Sequence, residues 1–136
     1  MIKGIYGINI AVKDLDEAVK KYESVFGVKS TPLKGNDFAF PNLIGAKLDV
    51  NGTIINLISY ISEDTSVANF IKKRGEGVFL VSVEVDDIDN DVEELKKKGL
   101  TFVLKETVSG DFGKVNFVHP RSMHGVQTEI YQPRED

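Results

Sequence analysis

The sequence predicts an α+β fold: two tandem βαβββ modules whose eight strands form a curved mixed sheet with a concave ligand cleft. Three observations predict it. The stretch from Ile8 to Asp16 returns as Val81 to Asp89, an offset of 73 residues, and Val12, Asp14, Asp16 and Val19 meet identical residues at Val85, Asp87, Asp89 and Val92. Each copy opens on the period-two alternation of a half-buried strand and passes into the spacing of an amphipathic helix. Each copy also has one helix for several strands, enough to cover one sheet face, so the other is left to curve around a ligand.

In the first module, Ile8, Ile10 and Val12 alternate with Gly7, Asn9 and Ala11, which predicts a strand over 5–12. Asp14 stands at an N-cap position, with Glu17 three residues on to complete a capping box. Leu15, Val19, Tyr22 and Phe26 then share one helical face, and Gly27 supplies the stop. Strands are expected at 28–33, 43–50 and 53–60, the last two joined by Asn51-Gly52, a pair that favours the type I′ hairpin turn. Residues 61–76 read as a linker helix with Ser62 and Asp64 as cap candidates, Val67, Phe70 and Ile71 as its apolar face, and Lys72-Lys73-Arg74-Gly75 as its end. The second module repeats the order: a strand over 77–85, a helix over 87–98 burying Ile88, Val92 and Leu95, a stop at Gly99, and strands near 100–105, 113–118 and 126–131. The whole chain, 1–136, is read as one domain, with modules at 1–60 and 77–136.

Composition narrows the function. At 41% hydrophobic and 28% charged residues, the 136-residue chain reads as a compact domain rather than a disordered or fibrous one. It has no cysteine, which excludes thiolate nucleophiles, disulfides and Cys-based zinc or iron–sulfur centres. A net charge of −4, with basic residues scattered among acids, offers no stripe for a phosphate backbone, so no nucleic-acid partner is expected. No apolar run approaches a membrane span, and Met1-Ile2-Lys3 leads into a strand rather than a signal peptide; a cytoplasmic protein with no membrane partner is expected. Asn51-Gly52-Thr53 matches a glycosylation sequon but reads as a turn.

Alternation also assigns faces. If Ile8, Ile10 and Val12 pack under the helix, then Gly7, Asn9 and Ala11 face the cleft, as do Leu80, Ser82 and Glu84 in the second copy. Ile54, Asn56 and Ile58 face it opposite Ile55 and Leu57, and Gln127, Glu129 and Tyr131 face it opposite Thr128 and Ile130. The repeat relates Gly7 to Leu80 and Asn56 to Glu129, so these four positions are expected to converge.

The order and spacing of several pieces over nearly the whole chain carry a resemblance. They are Ile10-Ala11-Val12-Lys13-Asp14-Leu15-Asp16-Glu17-Ala18, Gly75-Glu76-Gly77, Glu84-Val85-Asp86-Asp87-Ile88, Lys96-Lys97-Lys98-Gly99, Phe117-Val118-His119-Pro120-Arg121-Ser122, His124-Gly125-Val126 and Glu129. The chain resembles the vicinal oxygen chelate superfamily of glyoxalases, bleomycin-resistance proteins and extradiol dioxygenases, and within it the methylmalonyl-CoA epimerases. The resemblance implies a divalent metal held by four side chains, commonly His, Gln or Glu, His and Glu, at the positions of Gly7, Asn56, Leu80 and Glu129. This sequence departs from that set at three of the four. Gly7 and Leu80 have no donor and Asn56 only an amide oxygen, so no metal cofactor is expected.

The resulting expectation is a family member that binds a small organic ligand, an acyl-CoA or an organic acid, and pairs as a homodimer. The expected ligand contacts are Asn9, Asn56, Ile58, Leu80, Ser82, Gln127, Glu129 and Tyr131, with Arg121 at the rim for a carboxylate or phosphate. The alternative is a metal-dependent epimerase or lyase with Glu129 as base and ligand, so that any enzyme here is an isomerase or lyase. His119 and His124 read as turn or rim residues, and the loop from Gly35 to Pro41 as the place for a lid.

Overall fold

The computed structural model describes residues 1–135. In order, its elements are β1 (Ile2–Ala11), α1 (Leu15–Phe26), β2 (Thr31–Lys34), β3 (Leu43–Val50), β4 (Thr53–Tyr60), α2 (Ser66–Arg74), β5 (Gly77–Val85), α3 (Ile88–Lys97), β6 (Val108–Gly110), β7 (Gly113–Val118) and β8 (Thr128–Pro133). The fold is α+β with βαβββ order in each half and eight strands in mixed pairing, as the sequence predicts. The chain divides into two compact units: one is Gly7–Phe79, the other Met1–Tyr6 together with the described residues from Leu80 on.

In the Gly7–Phe79 unit the strand order is β2-β3-β4-β1, with β1 and β4 parallel and the other pairs antiparallel. Helix α1 starts where the Asp14 carboxylate accepts from the Glu17 amide at 3.0 Å and stops at Gly27, whose left-handed φ of 67° a side chain would resist. Its Leu15, Ala18, Val19 and Tyr22 pack on Ile8, Ile10, Val12, Leu48, Ile55 and Leu57. Phe26, expected on that face, is 40% exposed and instead stacks on Tyr22. The reason is position: it is the helix's last residue, where the chain turns away at Gly27.

Helix α2 does more than link. It starts at Thr65, whose hydroxyl accepts from the Ala68 amide at 3.1 Å, rather than at Ser62 or Asp64. Its Val67 and Ile71 bury against Ala11, Leu43 and Ile58 on the sheet face opposite α1, with Phe38, Phe70 and Phe79 around them. The second face of this unit is therefore partly closed by the chain itself. Ala11 and Ile58, expected to look into an open cleft, are 0% and 2% exposed beneath that helix.

In the other unit the order is β5-β8-β7-β6. Asp87 caps α3, and Ile88, Val92 and Leu95 pack as expected, on Val83, Val85, Val118 and Ile130. The strand expected at 100–105 is absent; the segment touches β7 through one bridge, Phe102 with Val118, and β6 forms later at Val108–Gly110. The Asn116 side chain explains the substitution. Asn116, 1% exposed, accepts from the Leu104 amide at 3.3 Å and donates to the Leu104 carbonyl at 3.2 Å, so a side chain takes the place of a strand ladder there.

Candidate functional site

The polar centre of the second unit sits on neighbouring parallel strands. Ser82 of β5 and Glu129 of β8 are register partners, both on the face turned away from α3, because Val83 and Ile130 between them pack under that helix. The Ser82 hydroxyl donates to Glu129 Oε1 at 2.7 Å. Burial pushes the Glu129 carboxyl up from 4.5 to about 7, while the Ser82 hydrogen bond pulls it part of the way back. At neutral pH such a carboxyl exchanges its proton readily. Two residues on, Tyr131 donates to the Phe112 carbonyl at 2.7 Å, and its ring meets that of Tyr6 edge to face at 4.8 Å. Burial first, and then the neighbouring Tyr6 and Glu129, drive the Tyr131 hydroxyl well above the ordinary tyrosine range, so it is a permanent donor.

The polar centre of the first unit is a pair of amides. Asn9 and Asn56 face each other across β1 and β4, and Asn56 Nδ2 donates to Asn9 Oδ1 at 3.1 Å. Among the described residues, the buried Asn56 Oδ1 has no hydrogen-bond partner.

Other expected contacts have other surroundings. Ile58 lies beneath α2, and Leu80 is 2% exposed. Gln127 is half-buried just ahead of β8, its carbonyl accepting from the Val81 amide at 3.1 Å. Arg121 is exposed in the 3-10 turn Pro120–Met123, where its amide donates to His119 Nδ1 at 3.0 Å. His119 thus caps that turn and His124, in the left-handed region at φ 56°, ends it. The Gly35–Pro41 loop carries a 3-10 turn at Gly35–Asp37, and Phe38 packs with Leu43 and Ile58.

The family's metal does not fit these residues. A Cβ at Gly7 would stand 1.9 Å from the Ile54 carbonyl oxygen, so position 7 has no room for a ligating side chain. Leu80 brings only carbon, and Asn56 and Glu129 leave one amide and one carboxylate as donors, short of what a divalent transition metal requires. Among the described residues, no three His, Asp or Glu side chains cluster as metal ligands would.

Sequence reasoning passed over Lys47. It is the register partner of Asn56 on β3, half-buried and on the same face. The Asn51-Gly52 turn, by pairing Val50 with Thr53, already sets Lys47 opposite Asn56.

Residues 7–118 match the model of the glyoxalase/bleomycin resistance protein/dioxygenase superfamily. The chain belongs to that superfamily. Human mitochondrial methylmalonyl-CoA epimerase is 31% identical over 132 residues, covering 92% of this chain and 71% of the relative. The crystal structure of methylmalonyl-CoA epimerase from Mycobacterium tuberculosis superposes with a TM-score of 0.88 at 28% identity, covering 98% of this chain and 90% of that one. A Streptomyces coelicolor methylmalonyl-CoA epimerase variant in complex with 2-nitronate-propionyl-CoA does so with a TM-score of 0.88 at 26% identity, over 99% and 100%. Within the superfamily, then, this chain is of the methylmalonyl-CoA epimerase-like kind.

Proposed function

We propose that the chain binds a small organic acid or an acyl-CoA thioester, with Glu129, Ser82, Gln127 and Tyr131 as polar contacts, and does so without the superfamily's divalent metal. One observation carries the reading: a half-buried carboxyl near neutrality, held by Ser82 at 2.7 Å, on a sheet face its own helix does not cover. The likeness to epimerases, one of them bound to an acyl-CoA analogue, supports the ligand class. The missing donors at positions 7 and 80 support the absence of metal.

Calorimetry with propionyl-CoA and methylmalonyl-CoA tests the binding. Glu129→Ala is expected to weaken the better ligand about tenfold while the protein stays folded. Unchanged affinity would remove Glu129 from the site. Elemental analysis tests the other half: a stoichiometric divalent metal lost to chelators would overturn the metal-free reading.

A second reading has its own observation. A carboxyl of pKa about 7 is suited to act as a general base at neutral pH, which supports an isomerase or lyase that moves a proton from the carbon beside a thioester. Exchange of the C2 hydrogen of methylmalonyl-CoA with deuterated solvent, lost in Glu129→Gln, would establish it. No exchange above the uncatalysed rate leaves binding as the function.

For the molecule as a whole we propose a cytoplasmic homodimer acting as a single domain. Ile5 is 64% exposed on β1, an apolar side chain available for contact between copies. Light scattering at micromolar concentration tests it; a monomer would exclude the dimer. Among the described residues no helix is long and apolar enough to cross a membrane.

A further inference from the structure

Thr31, Lys47, Asn56 and Asn9 form one row across four strands. Thr31 pairs with Lys47 between β2 and β3, Lys47 with Asn56 between β3 and β4, and Asn56 with Asn9 between β4 and β1. Register partners share a face, and this one is opposite α1, because Leu48, Ile55 and Leu57 of the same strands pack under that helix. The row therefore presents a hydroxyl, an ammonium and two carboxamides side by side.

Its borders are apolar on one side. The adjoining row is Leu33, Gly45, Ile58 and Ala11, closed by α2 and by Phe38, whose ring lies 3.1 Å from where a Gly45 Cβ would be. Ile54 and Gly7 lie on the other side with Asp49. Asp49 is not the counter-charge: its Oδ1 accepts from the Gly52 amide at 2.8 Å in the hairpin turn. Among the described residues, none forms an ion pair with Lys47.

A half-buried cation without a counter-ion is open to pairing, and an anion seated beside it gains Coulombic attraction in a medium of reduced dielectric. The two carboxamides, on neighbouring strands, can donate to the oxygens of the same anion. A phosphate fits less well, since the row offers a single charge and no backbone nest, whereas a carboxylate needs one cation and two or three donors.

We propose that Lys47, with Asn56 and Asn9, binds the carboxylate of a small organic acid and is the residue that makes this chain prefer an anionic ligand over a neutral one. Lys47 then provides a positive charge next to Asn56. The place of this subsite rests on strand register alone; the choice of an organic acid as its ligand rests on the reading under Proposed function.

The test uses the whole chain with malonate, and malonamide as its uncharged counterpart. Side-chain amide resonances of Asn9 and Asn56 are followed by NMR up to about 50 mM, where a ligand with a Kd of about 1 mM saturates. Saturable shifts with malonate, at least about tenfold weaker with malonamide, are expected for the wild-type protein. Lys47→Met is expected to erase that preference and Lys47→Arg to keep it. Absence of shifts in the wild type, or a preference that survives Lys47→Met, would overturn the subsite; should Lys47→Met not fold, Lys47→Gln is read in the same way. Failure of the acyl-CoA reading looks different: malonate binds at the row while neither CoA thioester binds at all.

Discussion

Ser82 and Glu129 are held opposite each other on parallel strands, and the 2.7 Å hydrogen bond between them favours the charged carboxylate in a place where burial opposes it. The balance leaves Glu129 at about 7. Replacing Ser82 with Ala removes the favourable half of that balance. Carboxyl carbon NMR of Ser82→Ala is therefore expected to show Glu129 titrating above about 7. A midpoint that falls, or stays where it was, would show that the bond does not govern this proton.

The same shift makes stability depend on pH. In the unfolded chain Glu129 titrates near 4.5 and in the folded one near 7, so between those values the folded state holds more protons. Stability contributed by this group is complete below about 4.5 and is lost as pH rises through 7, by about 3 kcal/mol in all. Urea denaturation from pH 5 to pH 8 should show that decline superimposed on the rest of the titration curve. Glu129→Gln should flatten the decline and be the more stable protein at pH 8; an unchanged slope would disprove the assignment.

Much of this architecture was legible in the residues, and the exceptions share a cause. Helix starts at Asp14 and Asp87, the Asn51-Gly52 hairpin and the split of Ile55 and Leu57 from Asn56 follow from local chemistry and alternation alone. What the sequence did not reveal depends on partners far along the chain. Leu100 to Leu104 alternate like a strand, yet Asn116 side-chain bonds replace the ladder there. Ile58 alternates toward an open face, yet α2, eight residues beyond it in sequence at its start, covers that face. Glu129 is a candidate from alternation alone, but the hydrogen bond from Ser82 emerges only when β5 and β8 are placed in register.

Position 7 allows a direct test of why the family's donors are missing. The Ile54 carbonyl oxygen occupies the space where a Cβ at Gly7 would go, and backbone cannot yield as a side-chain tip can. Gly7→Ala is expected to destabilise by about 2–4 kcal/mol, and Gly7→His at least as much, with no metal affinity gained. Chemical denaturation and zinc titration by calorimetry check both. A stable Gly7→His that binds zinc tightly would show that the strand pair has slack the structure does not show.

Asn116 supports a prediction of stability without function. Its carboxamide bonds both backbone groups of Leu104 and also accepts from the Phe117 amide at 2.7 Å, all at a site 1% exposed. Asn116→Ala leaves the Leu104 amide and carbonyl without those partners and opens a cavity beneath the segment that carries Phe102 into the α3 core. A loss of about 2–4 kcal/mol follows from the unmade bonds and the void. Asn116→Asp separates the two terms, since it keeps the volume and an acceptor, while its donor to the Leu104 carbonyl is a less well placed O–H when protonated and is lost altogether when ionised. It should fall between Ala and wild type when prepared at a pH where the new carboxyl is protonated, and below Ala where it is charged and buried. Amide hydrogen exchange at Leu104 and Phe117 gives the local reading: faster exchange at both in Asn116→Ala, with Ser82 and Glu129 still bonded, places the damage in this segment, whereas uniform acceleration across the unit would mean that Asn116 holds up the whole of it.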